Sequence, residues 1–337
     1  MFRKWLSQRV RQPRSLRNVD KKAPLKQSSN RLVKTIIRLL FSAGLLFLLC
    51  KAVDLNQLAR YFLKIKIAWL FIVFFTLLLL RFLVSAKWQI ILKHYGIKVP
   101  FGELVRVIFI ATTLGQVLPA GVGTDIVRGY RLSRKYGRTL GTAATILIDR
   151  GVGIFSLFFL AFLGAVVAEI IGIKTSLVWV LGGINLAIVA AWLNIHHLQT
   201  MVQKILPVEG RFPKLRKHLM SLVEIVSDKT NINRILPSIF LWSVAIQFFR
   251  CCVFFFIYLG FGQSLNFMYF VIFIPIMFVI TLIPVSIGGL GVREGVLVVL
   301  FSSVGAPAEI SIGAGLVSQV LQIFVAAPVL VLWLFEK

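Results

Sequence analysis

The sequence predicts an all-α polytopic membrane protein, and three observations carry that prediction. First, its 337 residues are 58% hydrophobic and only 15% charged, with a mean hydropathy of +0.89. Ordinary soluble domains are about 45–50% apolar and about 25% charged, so a bilayer is the simpler solvent. Second, the apolar residues gather in runs near the roughly 20 residues that a helix needs to cross hydrocarbon. Third, the net charge of +26 lies in the N-terminal tail and the segments between those runs. That distribution suits the positive-inside rule and anionic headgroups. About 7–9 membrane segments are expected, two of them broken by glycine and proline and candidates for re-entrant segments, with an internal repeat as a further candidate.

Residues 1–35 hold eleven basic residues, from Arg3 to Lys34, against the single acid Asp20. No apolar run precedes residue 36, so this tail is expected to be disordered and cytoplasmic. It is too long and basic for an ordinary cleaved signal peptide.

Domain 36–335 follows. Ile36–Cys50 is the first candidate span, and Leu55–Lys66 an amphipathic link. Ile67–Ala86 is the second span, with Arg81 inside it; Lys87, Lys93 and Lys98 then mark a return to the cytoplasm. Glu103–Leu118 is moderately apolar and has basic residues on both sides. A re-entrant hairpin would leave both ends on one side, and the charges favour it over a full crossing. Gly151–Ile173 and Leu177–Asn194 are spans, and the basic loop 195–234 reads as cytoplasmic. Ile235–Leu259 is a span carrying Gln247 and Arg250. Phe267–Ile283, the short helix Val296–Val304 and the last span Ile310–Phe335 complete the chain.

Two irregular runs match each other. Pro119-Ala-Gly-Val-Gly-Thr-Asp-Ile-Val-Arg128 and Pro284-Val-Ser-Ile-Gly-Gly-Leu-Gly-Val-Arg293 share the proline, the glycine four residues on, the valine eight on and the arginine nine on. Broken backbone at membrane depth leaves unpaired N–H and C=O groups, and is tolerated only in protein or beside a wet cavity. Paired Gly/Pro-interrupted segments in corresponding halves point to a transport site. The alternative is a pair of tight cytoplasmic turns that cap helices.

The residue types suit an anionic headgroup. Gly121, Gly123, Gly288, Gly289 and Gly291 let backbone N–H groups approach a ligand. Arg128 and Arg293 can bind phosphate bidentately. Asp125 precedes Arg128 by one helical turn and can orient it. Glu294 adjoins Arg293, so on a helix the two are expected to point apart. Arg250, deep in a span, is expected to face a cavity or a buried partner. Asp149 and Arg150 are expected at a span edge, explained by snorkelling or a local ion pair, and Arg81 is also expected to snorkel. Gln319 and Gln322 are candidates for interhelical hydrogen bonds.

Other functions lack support in the sequence. Cys50, Cys251 and Cys252 lie in apolar stretches, and the four histidines fit no metal pattern. No cofactor is expected. H-E-x-x-H, G-x-S-x-G and P-loop signatures are missing. No motif accompanies the charge to suggest nucleic acid.

Three motifs together resemble a known family. Leu118-Pro-Ala-Gly-Val-Gly-Thr-Asp-Ile-Val-Arg-Gly-Tyr-Arg-Leu132, Asp149-Arg-Gly-Val-Gly153 and Pro284 to Gly295 look like the lysylphosphatidylglycerol synthase transmembrane region family, also called flippase-like domain proteins. The resemblance covers roughly residues 35–335; Thr124 departs from it, standing where members often carry glycine. It implies a multi-pass protein of the bacterial cytoplasmic (inner) membrane with a cytoplasmic N-terminus. With Lys337 directly after the last apolar run, it implies a stand-alone member without the synthase domain. The implied function is a lipid flippase that moves a phospholipid or other lipid-linked headgroup, with an anionic or lipid-linked substrate in the bilayer. The rival is a non-transporting scaffold, or a lipid-binding partner of a lipid-modifying enzyme or glycosyltransferase. A membrane-embedded transferase would have to use Asp125, Asp149 or Glu294.

Overall fold

The computed structural model describes residues 54–117, 123–173, 175–194, 232–283, 285–286 and 288–335, together with Gly44 and Lys51. The tail 1–35, the span Ile36–Cys50, most of the loop 195–234 and Gly121 therefore lie outside the described residues. Among the described residues there are ten helices and no strand.

The amphipathic link forms α1 (Leu55–Leu63), whose first turn is capped by the Asp54 carboxylate accepting from the N–H groups of Asn56 and Gln57 at 2.8 and 3.3 Å. A side-chain oxygen there satisfies donors that have no partner inside the helix. The long helix α2 (Ile67–His94) runs well past the apolar stretch and ends before Gly96, whose φ of 71° suits only a residue without a Cβ. Helices α3 (Phe101–Val117) and α4 (Gly123–Tyr136) flank the first break. Helix α5 (Thr139–Ile170) begins twelve residues before the expected span Gly151–Ile173. Helix α6 (Leu177–Leu193) precedes the loop. The second half comprises α7 (Leu236–Gly260), α8 (Phe267–Thr281), α9 (Val292–Ser302) and α10 (Ala308–Phe335).

Helices α2, α5, α7 and α10 are long and apolar enough to cross a membrane; α6 and α8 are apolar but shorter. Phe71, Phe75, Leu79 and Phe82 on α2, and Trp179 and Leu186 on α6, are exposed. Large apolar side chains on the outside of a helical bundle are what lipid contact requires. The protein is a membrane-embedded multi-pass protein.

The internal repeat is visible in the order of elements. Long helix, shorter apolar helix, break, short helix and long helix occur as α2–α5 and again as α7–α10. Each break is the tip of a helical hairpin. In the first, Tyr136 Oη at the end of α4 donates to Glu103 Oε2 at the start of α3 at 2.7 Å, while Gly115 meets Thr124 at the tip. In the second, Phe301 near the end of α9 packs on Phe270 and Phe273 near the start of α8, with ring centroids 4.9 and 5.4 Å apart.

The halves are inverted relative to each other. Their first helices, α2 and α7, pack extensively and run antiparallel. Lys66 N–H at one end donates to Gly260 O at 2.9 Å, and Trp69 stacks on Phe256. At the other end Lys87 Nζ donates to Ser243 Oγ at 3.2 Å. The exchange is reciprocal elsewhere too: α5 packs on the opposite hairpin's α8, and α10 on α3. Gly164 of α5 permits the first of these, since a Cβ there would lie 2.7 Å from Val271.

Candidate functional site

The two hairpin tips meet inside the bundle. Gly288 has φ 60°, and a Cβ on it would lie 2.5 Å from Gln116 O, so the second tip touches the end of α3 through bare backbone. Gly115 likewise leaves no room for a side chain, because a Cβ would stand 2.5 Å from Thr124 Oγ1 and 2.7 Å from its backbone N. Around these tips lies a cavity of about 360 Å3. Its wall includes Gly123, Thr124 and Gly115 from the first hairpin and Thr281, Gly288 and Gly289 from the second. Six cationic side chains line it, Arg81, Lys87, Arg128, Arg150, Arg250 and Arg293, against two carboxylates, Asp125 and Asp149. A surplus of cations this deep in a bundle must face a polar partner or water, because an unpaired buried charge is strongly disfavoured.

The carboxylates are already taken. Asp149 Oδ1 lies 2.7 Å from Lys87 Nζ, and its Oδ2 lies 2.8 Å from Arg128 NH2. The same Arg128 nitrogen is 2.8 Å from Asp125 Oδ1, and Asp125 Oδ2 is 3.0 Å from Arg150 Nε. One continuous chain of charge thus ties α2, α5 and α4 together. Asp125 and Arg128 share a helix face through their one-turn spacing, as the sequence implied. The Arg128 guanidinium also lies 4.9 Å from the Trp88 ring, a cation–π contact. Neither Asp149 nor Lys87 is at a helix edge. The helices extend beyond the apolar runs, so of the two expected explanations for Asp149 and Arg150 the structure has the ion pair and not snorkelling, and Lys87 is the buried partner of Asp149 and does not mark a return to water.

The second hairpin builds a different cluster. Gly291, with φ 80°, caps α9, and its N–H donates to Glu294 Oε2 at 2.7 Å. Arg293 Nε and NH2 donate to Glu294 Oε1 at 3.1 and 2.9 Å, and NH1 donates to Gln319 Oε1 at 2.8 Å. Gln319 Nε2 in turn donates to Gln116 Oε1 at 3.2 Å, joining α10 to the first hairpin. The expectation that Arg293 and Glu294 point apart is therefore wrong. The long arginine chain folds back onto its neighbour, whose carboxylate is fully buried and pinned by the cap. Gly315 on α10 makes the space, since a Cβ there would sit 2.6 Å from Glu294 Oε1. Gly291 and Glu294 stand behind Arg293 and do not line the cavity.

Arg250 and Arg81 are the least committed cations. Arg250 NH1 donates to Gln247 Oε1 at 3.0 Å, and its guanidinium lies 4.8 Å from the Phe278 ring. Gln247 is itself anchored to α5, donating to Gly153 O at 3.3 Å and Ser156 Oγ at 3.4 Å. Arg81 sits in the middle of α2 and borders the cavity; its Nε and NH2 are buried without a hydrogen-bond partner. The expected snorkelling is thus overturned: no end of α2 is within reach, and the side chain turns inward. Arg81, Lys87 and Gln116 were not among the sequence-predicted site residues. For Lys87 the readable signal was the spacing of Lys87 and Lys93, which fits the last turns of one long helix as well as it fits a loop.

Gly123, Asp125, Arg128, Asp149, Arg150, Arg250, Gly288, Gly289 and Arg293 do come together around the cavity. Among the described residues no group of His, Cys, Asp and Glu has the arrangement of a metal site. No curated protein matches the sequence. Residues 35–329, most of the chain, match the model of the family described as the lysylphosphatidylglycerol synthase TM region, and the chain belongs to that family.

Proposed function

We propose that the protein is a lipid translocator that moves the phosphate-bearing headgroup of a phospholipid or other lipid-linked substrate across the cytoplasmic membrane of a bacterium. One observation carries this reading. Two inverted halves each send a glycine-broken hairpin into the bundle, and the tips meet at one cation-rich cavity. This is the layout in which alternating access is achieved by rocking one repeat against the other around a fixed site. With the basic N-terminal tail and basic loops inside, the first hairpin enters from the cytoplasmic side and the second from the opposite side. The headgroup occupies the cavity while its acyl chains stay in lipid. Arg81 and Arg250 contact the phosphate, and the paired arginines Arg128 and Arg293 hold the two hairpins in place. The sequence has no nucleotide-binding motif, so the lipid's own imbalance or an ion gradient is the energy source.

Reconstitution tests this. Purified protein is incorporated into liposomes with fluorescent phosphatidylglycerol, and a membrane-impermeant quencher is added. The proposal expects the protected inner-leaflet signal to be lost faster than in empty liposomes. Folded protein that gives no acceleration with any anionic lipid would favour a scaffold that recruits a lipid-modifying enzyme or glycosyltransferase through its basic tail.

A further inference from the structure

We infer that the cavity selects a headgroup whose phosphate charge is not neutralised, and rejects one that carries its own ammonium group. This rests on the translocator reading and names the substrate class for the same site.

The inference follows from which polar groups are free. Each carboxylate that would hold an ammonium already holds a cation of the protein. Asp125 is shared by Arg128 and Arg150, and Asp149 by Lys87 and Arg128. Glu294, buried behind the wall, is occupied by Arg293 and the Gly291 N–H. Of the two aromatic rings in the wall, Phe278 faces the Arg250 guanidinium and Phe254 packs edge-on against Phe278. A ligand ammonium entering here would meet six like charges and no vacant carboxylate.

The free groups of the wall have the opposite character. Apart from Asp149 Oδ1, which accepts no hydrogen bond but is ion-paired with Lys87 at 2.7 Å, the unpartnered buried side-chain atoms of the wall among the described residues are Arg81 Nε, Arg81 NH2, Arg128 Nε and Gln116 Nε2. All four are donors. Buried donors without acceptors are costly, and a phosphate supplies several strong acceptor oxygens at once. The about 360 Å3 volume lies at the small end of ligand sites, which run about 300–1,000 Å3. It fits a headgroup and not a whole lipid. Arginine's planar fork matches phosphate with two parallel bonds, which a lysine in its place cannot reproduce.

The test measures binding separately from transport. Purified full-length protein in detergent is titrated with dioctanoyl phosphatidic acid, dioctanoyl phosphatidylglycerol, dioctanoyl lysylphosphatidylglycerol and inorganic pyrophosphate, with ligand-induced thermal stabilisation as the readout. The inference expects the two anionic lipids to bind, and the lysylated lipid to bind at least about tenfold more weakly than phosphatidylglycerol, the scale of one lost charge-assisted hydrogen bond. Arg81→Gln should weaken phosphatidic acid by about tenfold or more, with Arg81→Lys losing less; the lysine variant keeps the charge and so controls for folding. Lysylphosphatidylglycerol binding as tightly as phosphatidylglycerol would overturn the inference. Pyrophosphate binding as tightly as phosphatidic acid would support the charge class but assign the site to a free anion, overturning the lipid reading. Selective lipid binding without any transport would support the inference and overturn the translocator alone.

Discussion

Asp149 holds Lys87 on one oxygen and Arg128 on the other, so it is the residue on which the charge network turns. Removing one partner of a buried ion pair costs about 3–5 kcal/mol, because the remaining charge is left uncompensated. Asp149→Asn should lower unfolding stability by about that amount, since it strands two cations; chemical denaturation in detergent measures it. Arg293→Ala should behave in the same way by stranding Glu294, which is fully buried. Loss of transport in that variant would therefore report folding before it reported ligand contact. Arg81→Gln is different: its buried Nε and NH2 have no hydrogen-bond partner to strand. It should leave stability within about 1 kcal/mol of wild type while transport falls. The Asp125–Arg128 pair was legible from spacing alone. The Arg293–Glu294 contact was not, because neighbours on a helix face apart and only the length of the arginine chain overrides that. Lys87 was hidden because the apolar run stops before its helix does, and Arg81 because the sequence does not say which way a side chain inside the run turns.

At the scale of elements, hairpin tips depend on glycine where backbone meets backbone. Gly288 has a left-handed φ, and a Cβ on it would overlap Gln116 O. Gly288→Ala should cost about 1–2 kcal/mol from conformation alone, plus whatever displacement the overlap forces. Gly262 also has a positive φ but open space around it. Gly262→Ala should therefore cost only the conformational part, and comparing the two thermal transitions separates strain from contact. Proline and glycine made both breaks readable, since neither suits a helix interior. Helix ends were less readable. Hydropathy marks where lipid-compatible sequence stops, but α2 and α5 continue through polar residues that find partners inside the protein. The moderately apolar segment after Lys98 forms one arm of a hairpin, with α4 as the other.

For the whole molecule, four shared positions in two short runs reflect a repeat of the entire bundle. The shared positions read from the sequence lie at the breaks, where Gly288 meets backbone and Arg128 and Arg293 are ion-paired. Lipid-facing positions accept any large apolar residue, so they are poor markers of a repeat. Inversion was not legible at all, because antiparallel packing of α2 and α7 is a property of contacts. It carries the functional weight, since it lets hairpins from opposite sides share one cavity. Thr112 on the first hairpin and Thr281 on the second both line that cavity. The most direct measurement places a single cysteine at Thr112, and separately at Thr281, in protein whose Cys50, Cys251 and Cys252 are replaced by alanine. An impermeant thiol reagent is then applied from one face of oriented vesicles and from the other. The account predicts that each position is labelled from both faces and is protected by phosphatidylglycerol. Labelling of each from one face only, without lipid protection, would contradict it and leave two separate capped turns in place of a shared pathway.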